Sequence, residues 1–245
     1  HKTINKYVNA KFKLIKNQSK EDLAILNTKN FYIRKELKSK NFLPKIIKIK
    51  KKIDSNFLKR INNQYFYTDG NKENLRFIIE VAKILKIKKN SLIKTLKKFK
   101  GLKYRQEIIF HSKKLTIIND SKATTFSSSV SLLRSLNNVH WIVGGQEKKG
   151  DKLLLSKKNC KSIKAYVFGT NKNFFINKLK KIMKYESFLD LKNVVKKLSI
   201  EIKADKDTNH KTILFSPSAA SFDNFKNFEK RGEYFNQLIK KYINV

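Results

Sequence analysis

Leu115-Thr116-Ile117-Ile118 runs directly into Asn119-Asp120-Ser121-Lys122-Ala123-Thr124, and Thr125–Leu136 follows. The first run is short, apolar and β-branched, as a buried strand requires. In the last, Val130, Leu132, Leu133 and Leu136 recur at helical spacing. The segment therefore reads strand, turn, helix. An acid, a hydroxyl, an amine and a second hydroxyl crowd the turn. Ligands of open α/β sheets bind at the carboxyl ends of strands, and amides at a helix N-terminus attract anions. A helix cap made by Asp120 or Ser121 accounts for the same pattern equally well.

Outward from this turn the same alternation continues. Glu107–Phe110 and Leu115–Ile118 read as a hairpin around His111–Lys114. Val139–Val143, Ala165–Phe168 and Thr212–Phe215 read as further strands, with Asn173–Ile182, Leu189–Ile200 and Phe222–Tyr242 as helices. Strands alternating with helices imply βαβ units and a mostly parallel sheet. Upstream, Ile4–Ile15 and Asn74–Ile87 are helical, and a third helix capped by Asn90 or Ser91 ends near Gly101. Leu23–Leu26, Phe31–Ile33, Ile46–Ile49 and Tyr65–Tyr67 read as short strands. A boundary near Gly101–Lys103 divides the chain into domains 1–101 and 102–245.

The chain has 245 residues and a net charge of +38. Its 40% hydrophobic and 11% aromatic content supplies a core despite that charge. Of 57 basic residues only six are arginine: Arg34, Arg60, Arg76, Arg105, Arg134 and Arg231. Base and phosphate recognition leans on the arginine fork, and the lysines are spread over the whole length. Abundant Lys, Asn, Ile and Phe indicate codon bias of an AT-rich genome rather than a specific nucleic-acid partner. One cysteine, Cys160, excludes an internal disulfide and reads as a packed thiol. No apolar run is long enough to span a bilayer, and the expectation is a soluble, cytoplasmic protein. The chain opens on His1, its only methionine is Met183, and Lys2–Gln18 reads as mid-domain helix, which suggests a fragment.

Three strand ends carry the candidate chemistry: Asn119–Thr125, Gly144-Gly145-Gln146-Glu147-Lys148-Lys149-Gly150-Asp151, and Ser216-Pro217-Ser218-Ala219-Ala220-Ser221-Phe222-Asp223. In a parallel sheet they share one edge, where Lys122 and Lys148 supply charge and Thr124 and Ser221 supply hydroxyls. Such a crevice suits a small carboxylated or phosphorylated ligand. Arg105, at the domain junction, is placed for a phosphate or an ordinary salt bridge. Asn71 and Asn74 read as caps of the Leu75 helix. GxxxxGK[ST], HExxH, GxSxG and CxxC motifs are absent, and His1, His111, His140 and His210 lack metal-ligand spacing.

Together these segments resemble the Mur ligase family, in its D-glutamate-adding branch. The resemblance is carried by Tyr104-Arg105-Gln106-Glu107, Asn119-Asp120-Ser121-Lys122-Ala123-Thr124, Gly144-Gly145 with Lys148, Ser221-Phe222-Asp223-Asn224-Phe225, and Phe228-Glu229-Lys230-Arg231-Gly232. It implies part of a P-loop-type central ATPase domain followed by a Rossmann-like C-terminal domain. The implied activity is ATP-dependent ligation of D-glutamate to UDP-N-acetylmuramoyl-L-alanine, through an acyl phosphate, by a monomeric enzyme of peptidoglycan synthesis. Carried over, Asn71 and Asn74 contact adenine, Arg105 the phosphates and Asp120 the ribose. Thr124, Lys148, Ser221 and the Phe228 backbone hold D-glutamate, with Lys122 at the reacting phosphate and amine. Lys11, within Tyr7-Val8-Asn9-Ala10-Lys11, matches a lysine that becomes a carbamate and binds Mg²⁺.

The family usually has His where Tyr104 stands and Asn where Thr125 stands. Its P-loop and uridine-nucleotide domain would precede His1, so the resemblance implies that these residues alone do not ligate. Another Mur-type ligase or a folylpolyglutamate synthase shares the chemistry and differs in the amino acid accepted. A basic nucleic-acid-binding module is the reading from a different class.

Overall fold

The computed structural model describes residues 3–49, 52–148 and 150–244; His1, Lys2, Lys50, Lys51, Lys149 and Val245 lie outside them. Two compact units are formed, one from the residues up to Phe66 with Asn71–Lys98, the other from Tyr67–Gly70 with Phe99 onward.

In the first unit, α1 (Ile4–Lys16) precedes β1 (Leu23–Leu26), α2 (Phe31–Ser39) and β2 (Lys45–Lys48), and the two strands pair in parallel. Phe12, Ile15 and Ala24 pack beneath them. Then come α3 (Ser55–Ile61), a short 3-10 helix (Gln64–Tyr67), α4 (Asp69–Ile84) and α5 (Lys89–Lys98), around Phe57, Ile61, Phe66, Leu75, Ile93 and Leu96. Two expected strands are helical instead. Phe31–Ile33 opens α2 because the Asn30 side chain accepts from the Tyr32 and Ile33 amides. Tyr65–Tyr67 coils so that Phe66 is fully buried. Asn90 and Ser91 lie inside α5 rather than capping it.

The second unit holds a six-stranded sheet of order β3-β4-β8-β5-β6-β7. Its strands are β3 (Glu107–His111), β4 (Leu115–Asn119), β5 (Val139–Gly144), β6 (Ile163–Phe168), β7 (Lys184–Ser187) and β8 (Lys211–Phe215). Only β3 is antiparallel to its neighbour, as the α/β reading expects. Helices α6 (Phe126–Ser135) and α7 (Lys172–Leu179) cover one face with Phe126, Val130, Leu133, Phe175 and Leu179. Helices α8 (Leu191–Ala204) and α9 (Phe228–Tyr242) cover the other with Val194, Val195, Leu198, Phe235 and Leu238. Coverage on both faces explains why β4 is buried at every position. Helix α9 starts six residues later than the spacing predicts, because the Asn227 side chain caps the Lys230 amide and leaves Phe222–Lys226 as a loop. Among the described residues no helix is long and apolar enough to cross a membrane.

Candidate functional site

β4, β8 and β5 lie side by side and parallel, so their carboxyl ends open on one edge. The chain leaving each strand is bonded to the next. The Ala219 N–H donates to the Ala123 carbonyl at 3.3 Å, and the Gly144 N–H to Pro217 at 3.1 Å. Gln146 and Ala220 exchange backbone bonds at 3.0 and 2.9 Å. Gly145 makes this approach possible, since a Cβ there would meet the Ala220 oxygen at 2.8 Å. Thr124, Lys148 and Ser221 each follow within two residues of these ties, so the structure brings these three together.

The cap reading of the first turn is corrected. Helix α6 receives its cap from the second loop: the Phe126 N–H donates to Asp151 Oδ2 at 2.6 Å. Asp120 and Ser121 face other partners. Asp120 Oδ1 accepts from the Gln106 N–H at 3.1 Å, and Oδ2 from the Ser216 hydroxyl at 2.8 Å. Ser216 in turn meets Ser129 Oγ at 2.6 Å, and Ser129 meets Ser218 Oγ at 2.7 Å, all of them buried. Burial pushes the Asp120 carboxyl up to about 7, against the opposing pull of Ser216, the Gln106 amide and the Arg105 charge. Tyr104 and Gln106 flank Arg105 in left-handed backbone, at φ 61° and 52°, a conformation that costs non-glycine residues energy and clusters at functional sites. Arg105 itself is exposed, and its guanidinium makes no described hydrogen bond.

Lys122 is half-buried, its ammonium 4.1 Å from the centre of the Phe228 ring. Ser121 Oγ donates to the Phe228 carbonyl at 2.8 Å, so the first residue of α9 is fixed to the β4 turn. Lys148 is exposed and Ser221 buried.

Lys11, Asn71 and Asn74 belong to the first unit. Lys11 lies on the exposed side of α1, its ammonium 5.6 Å from the Tyr7 ring centre. Asn71 sits within α4 rather than capping it, and donates from Nδ2 to the Tyr65 carbonyl at 2.7 Å. Asn74 is exposed on the same helix.

Arg231, quoted from sequence only among the six arginines and as part of the Phe228–Gly232 run, receives no role of its own there. It is fully buried. Nε donates to Ser121 Oγ at 3.1 Å, Nη1 to the Ala220 carbonyl at 3.1 Å, and Nη2 to the Ser121 and Ala219 carbonyls at 2.7 and 2.9 Å. None of these partners is a carboxylate, and burial pushes its pKa down to about 10. The available signal was its type: an arginine kept in a chain that elsewhere uses lysine.

Fold and site together define an α/β protein whose carboxyl edge gathers lysines and hydroxyls after three neighbouring parallel strands. The chain matches no family model. It is 36% identical over 172 residues, 70% of its length, to the UDP-N-acetylmuramoylalanine--D-glutamate ligase of Wolbachia sp. subsp. Brugia malayi, of which this covers 34%. The like-named ligase of Rickettsia prowazekii is 32% identical over 99% of the chain and 58% of the relative. A murein peptide ligase from Psychrobacter arcticus shares the fold, with a TM-score of 0.50 at 10% identity over 98% of the chain and 55% of that structure. Over most of its length the chain is similar to ligases of the Mur type. It spans 34% and 58% of the length of those two curated relatives.

Proposed function

We propose that this chain carries the D-glutamate-binding part of an ATP-dependent ligase that adds D-glutamate to UDP-N-acetylmuramoyl-L-alanine in peptidoglycan synthesis. The observation that carries the reading is the joining of three polar strand ends, after β4, β8 and β5, at one edge. Thr124, Lys148, Ser221 and the Phe228 amide would receive the two carboxylates, as hydroxyl, ammonium and backbone donors suit carboxylate oxygens. Lys122, held against Phe228, would place its charge at the reacting amine. The Mur-type names of both relatives support this reading over a nucleic-acid module.

The residues present fit a nucleotide in part. Arg105 offers a free fork next to Asp120, whose buried carboxylate would meet a sugar hydroxyl. ATP, when bound, supplies the phosphoryl group that activates the acceptor carboxylate. A metal fits less well. Among the described residues no group of three or more His, Cys, Asp or Glu side chains is placed to hold one, and Lys11 as a carbamate would be a single ligand.

Calorimetric titration of the chain with D-glutamate, L-glutamate and a diamino acid tests the proposal. Preference for D-glutamate, weakened at least tenfold by Lys148→Ala or Ser221→Ala, is expected. Equal binding of the enantiomers, or steeply salt-dependent, sequence-selective binding of duplex DNA in their place, would overturn it.

A further inference from the structure

We infer that Arg231 is a positioning residue for this edge: by holding the Ala220 carbonyl inward and fixing the Ser121 hydroxyl against Phe228, it sets outward the amide and hydroxyl donors that receive an anionic ligand. The inference rests on the amino-acid-binding reading above and assigns a role to a side chain that itself faces away from any ligand.

In a trans peptide the carbonyl of one residue and the N–H of the next point in opposite directions. The Ala220 carbonyl accepts from Arg231 Nη1 at 3.1 Å and from the Gln146 N–H at 3.0 Å. The Ser221 N–H is thereby aimed away from the guanidinium. Among the described residues neither that N–H nor the Ser221 hydroxyl has a hydrogen-bond partner, so both are free for a ligand. On the other side, Nε fixes Ser121 Oγ, and that hydroxyl fixes the Phe228 carbonyl. The Phe228 N–H, first in α9, is left free. Through the Gln146–Ala220 pair the clamp also reaches the loop that carries Lys148. One side chain thus orders donors from all three strand ends.

Only arginine has this capacity. The four bonds leave three separate nitrogens of one plane and end on acceptors in two different loops. A lysine ammonium offers three donors from a single point and cannot span them. A scaffold role alone would make Arg231 matter for stability; a positioning role makes it matter for affinity as well.

The test uses the 245-residue chain with ¹⁵N amide spectra and calorimetry, titrated separately with D-glutamate and with inorganic phosphate. The variants are R231K, the milder S121A, and the control L198A, a buried residue packed between α8 and the sheet. D-glutamate should bind R231K at least tenfold and S121A about three- to tenfold more weakly than the wild type, with the Ser221 and Phe228 amide shifts lost or reduced. L198A should lower the melting temperature and leave Kd within twofold. A folded R231K with wild-type Kd would overturn the inference, and so would an L198A loss of affinity matching that of R231K. If R231K fails to fold, S121A decides: unchanged affinity and amide shifts overturn it. If phosphate but not D-glutamate moves the Ser221 and Phe228 amides, and R231K or S121A diminishes that response, the inference stands and the amino-acid reading falls. If neither probe moves them in the wild type, both fall.

Discussion

Replacing Asp120 by asparagine isolates the energy of a carboxyl buried at the site edge. The folded carboxyl titrates at about 7, against ~3.9 in an unfolded chain. Between those values the folded state holds a proton that the unfolded state has released. Stability contributed by Asp120 is therefore full at low pH, falls as pH rises, and is gone above about 7. The whole shift corresponds to ~4 kcal/mol, and the part lost between pH 5 and 8.5 to ~2.5 kcal/mol. Asparagine keeps an acceptor for the Gln106 N–H and offers its amide hydrogens to Ser216, whose hydroxyl can then turn toward Ser129. The variant should lose this pH dependence and keep the packing. Trp141 makes the measurement local: it is the only tryptophan, fully buried, and its indole N–H donates to the Ser216 carbonyl at 2.8 Å. Urea unfolding followed by its fluorescence at both pH values should show D120N gaining ~2.5 kcal/mol on the wild type as pH rises. Contributions from other groups, such as the half-buried His140 whose pKa is lowered by desolvation, are common to both chains and cancel. Parallel profiles, with a difference constant to within ~0.5 kcal/mol, would refute the reasoning.

Gly232→Ala should destabilise by ~1–3 kcal/mol, because a Cβ there would meet the Tyr104 ring at 2.4 Å; adding Tyr104→Ala should restore part of the loss in a double-mutant cycle of urea midpoints, and strict additivity would count against the contact. Ser129→Ala removes the hydroxyl shared by Ser216 and Ser218 in a buried chain. A loss of ~1–3 kcal/mol is expected in the same assay, and one below ~0.5 kcal/mol would show that the hydroxyl chain contributes little.

The strands that build the edge were legible because sheets covered on both faces demand continuous apolar runs, which β4 and β8 have. β7 was missed for the complementary reason: Lys184-Tyr185-Glu186-Ser187 lies at the sheet edge, three of its four residues exposed, and polar residues are what an edge tolerates. Polar residues at strand ends were legible as candidates, and their gathering followed from parallelism. Their detailed partners were not, since the cap of α6 comes from Asp151, 25 residues along the chain, and β8 reaches its place between β4 and β5 only by long-range pairing.

Composition holds one more clue, in the arginines rather than the lysines. Where a surface needs only a solvated charge, lysine serves, and codon bias can fill such positions freely. An arginine retained against that drift marks a place where the fork is used. Arg34, Arg60, Arg134 and Arg231 each donate to carbonyl or amide oxygens, and none of these acceptors is a carboxylate. By the same logic an arginine with an unoccupied fork calls for an acceptor from outside the described fold. Arg105 is such a residue: exposed, held between two left-handed residues, and close enough to Asp120 to bias its titration. The strain accepted on both sides of it would be wasted on a residue that only faces water, which supports the phosphate contact proposed for it.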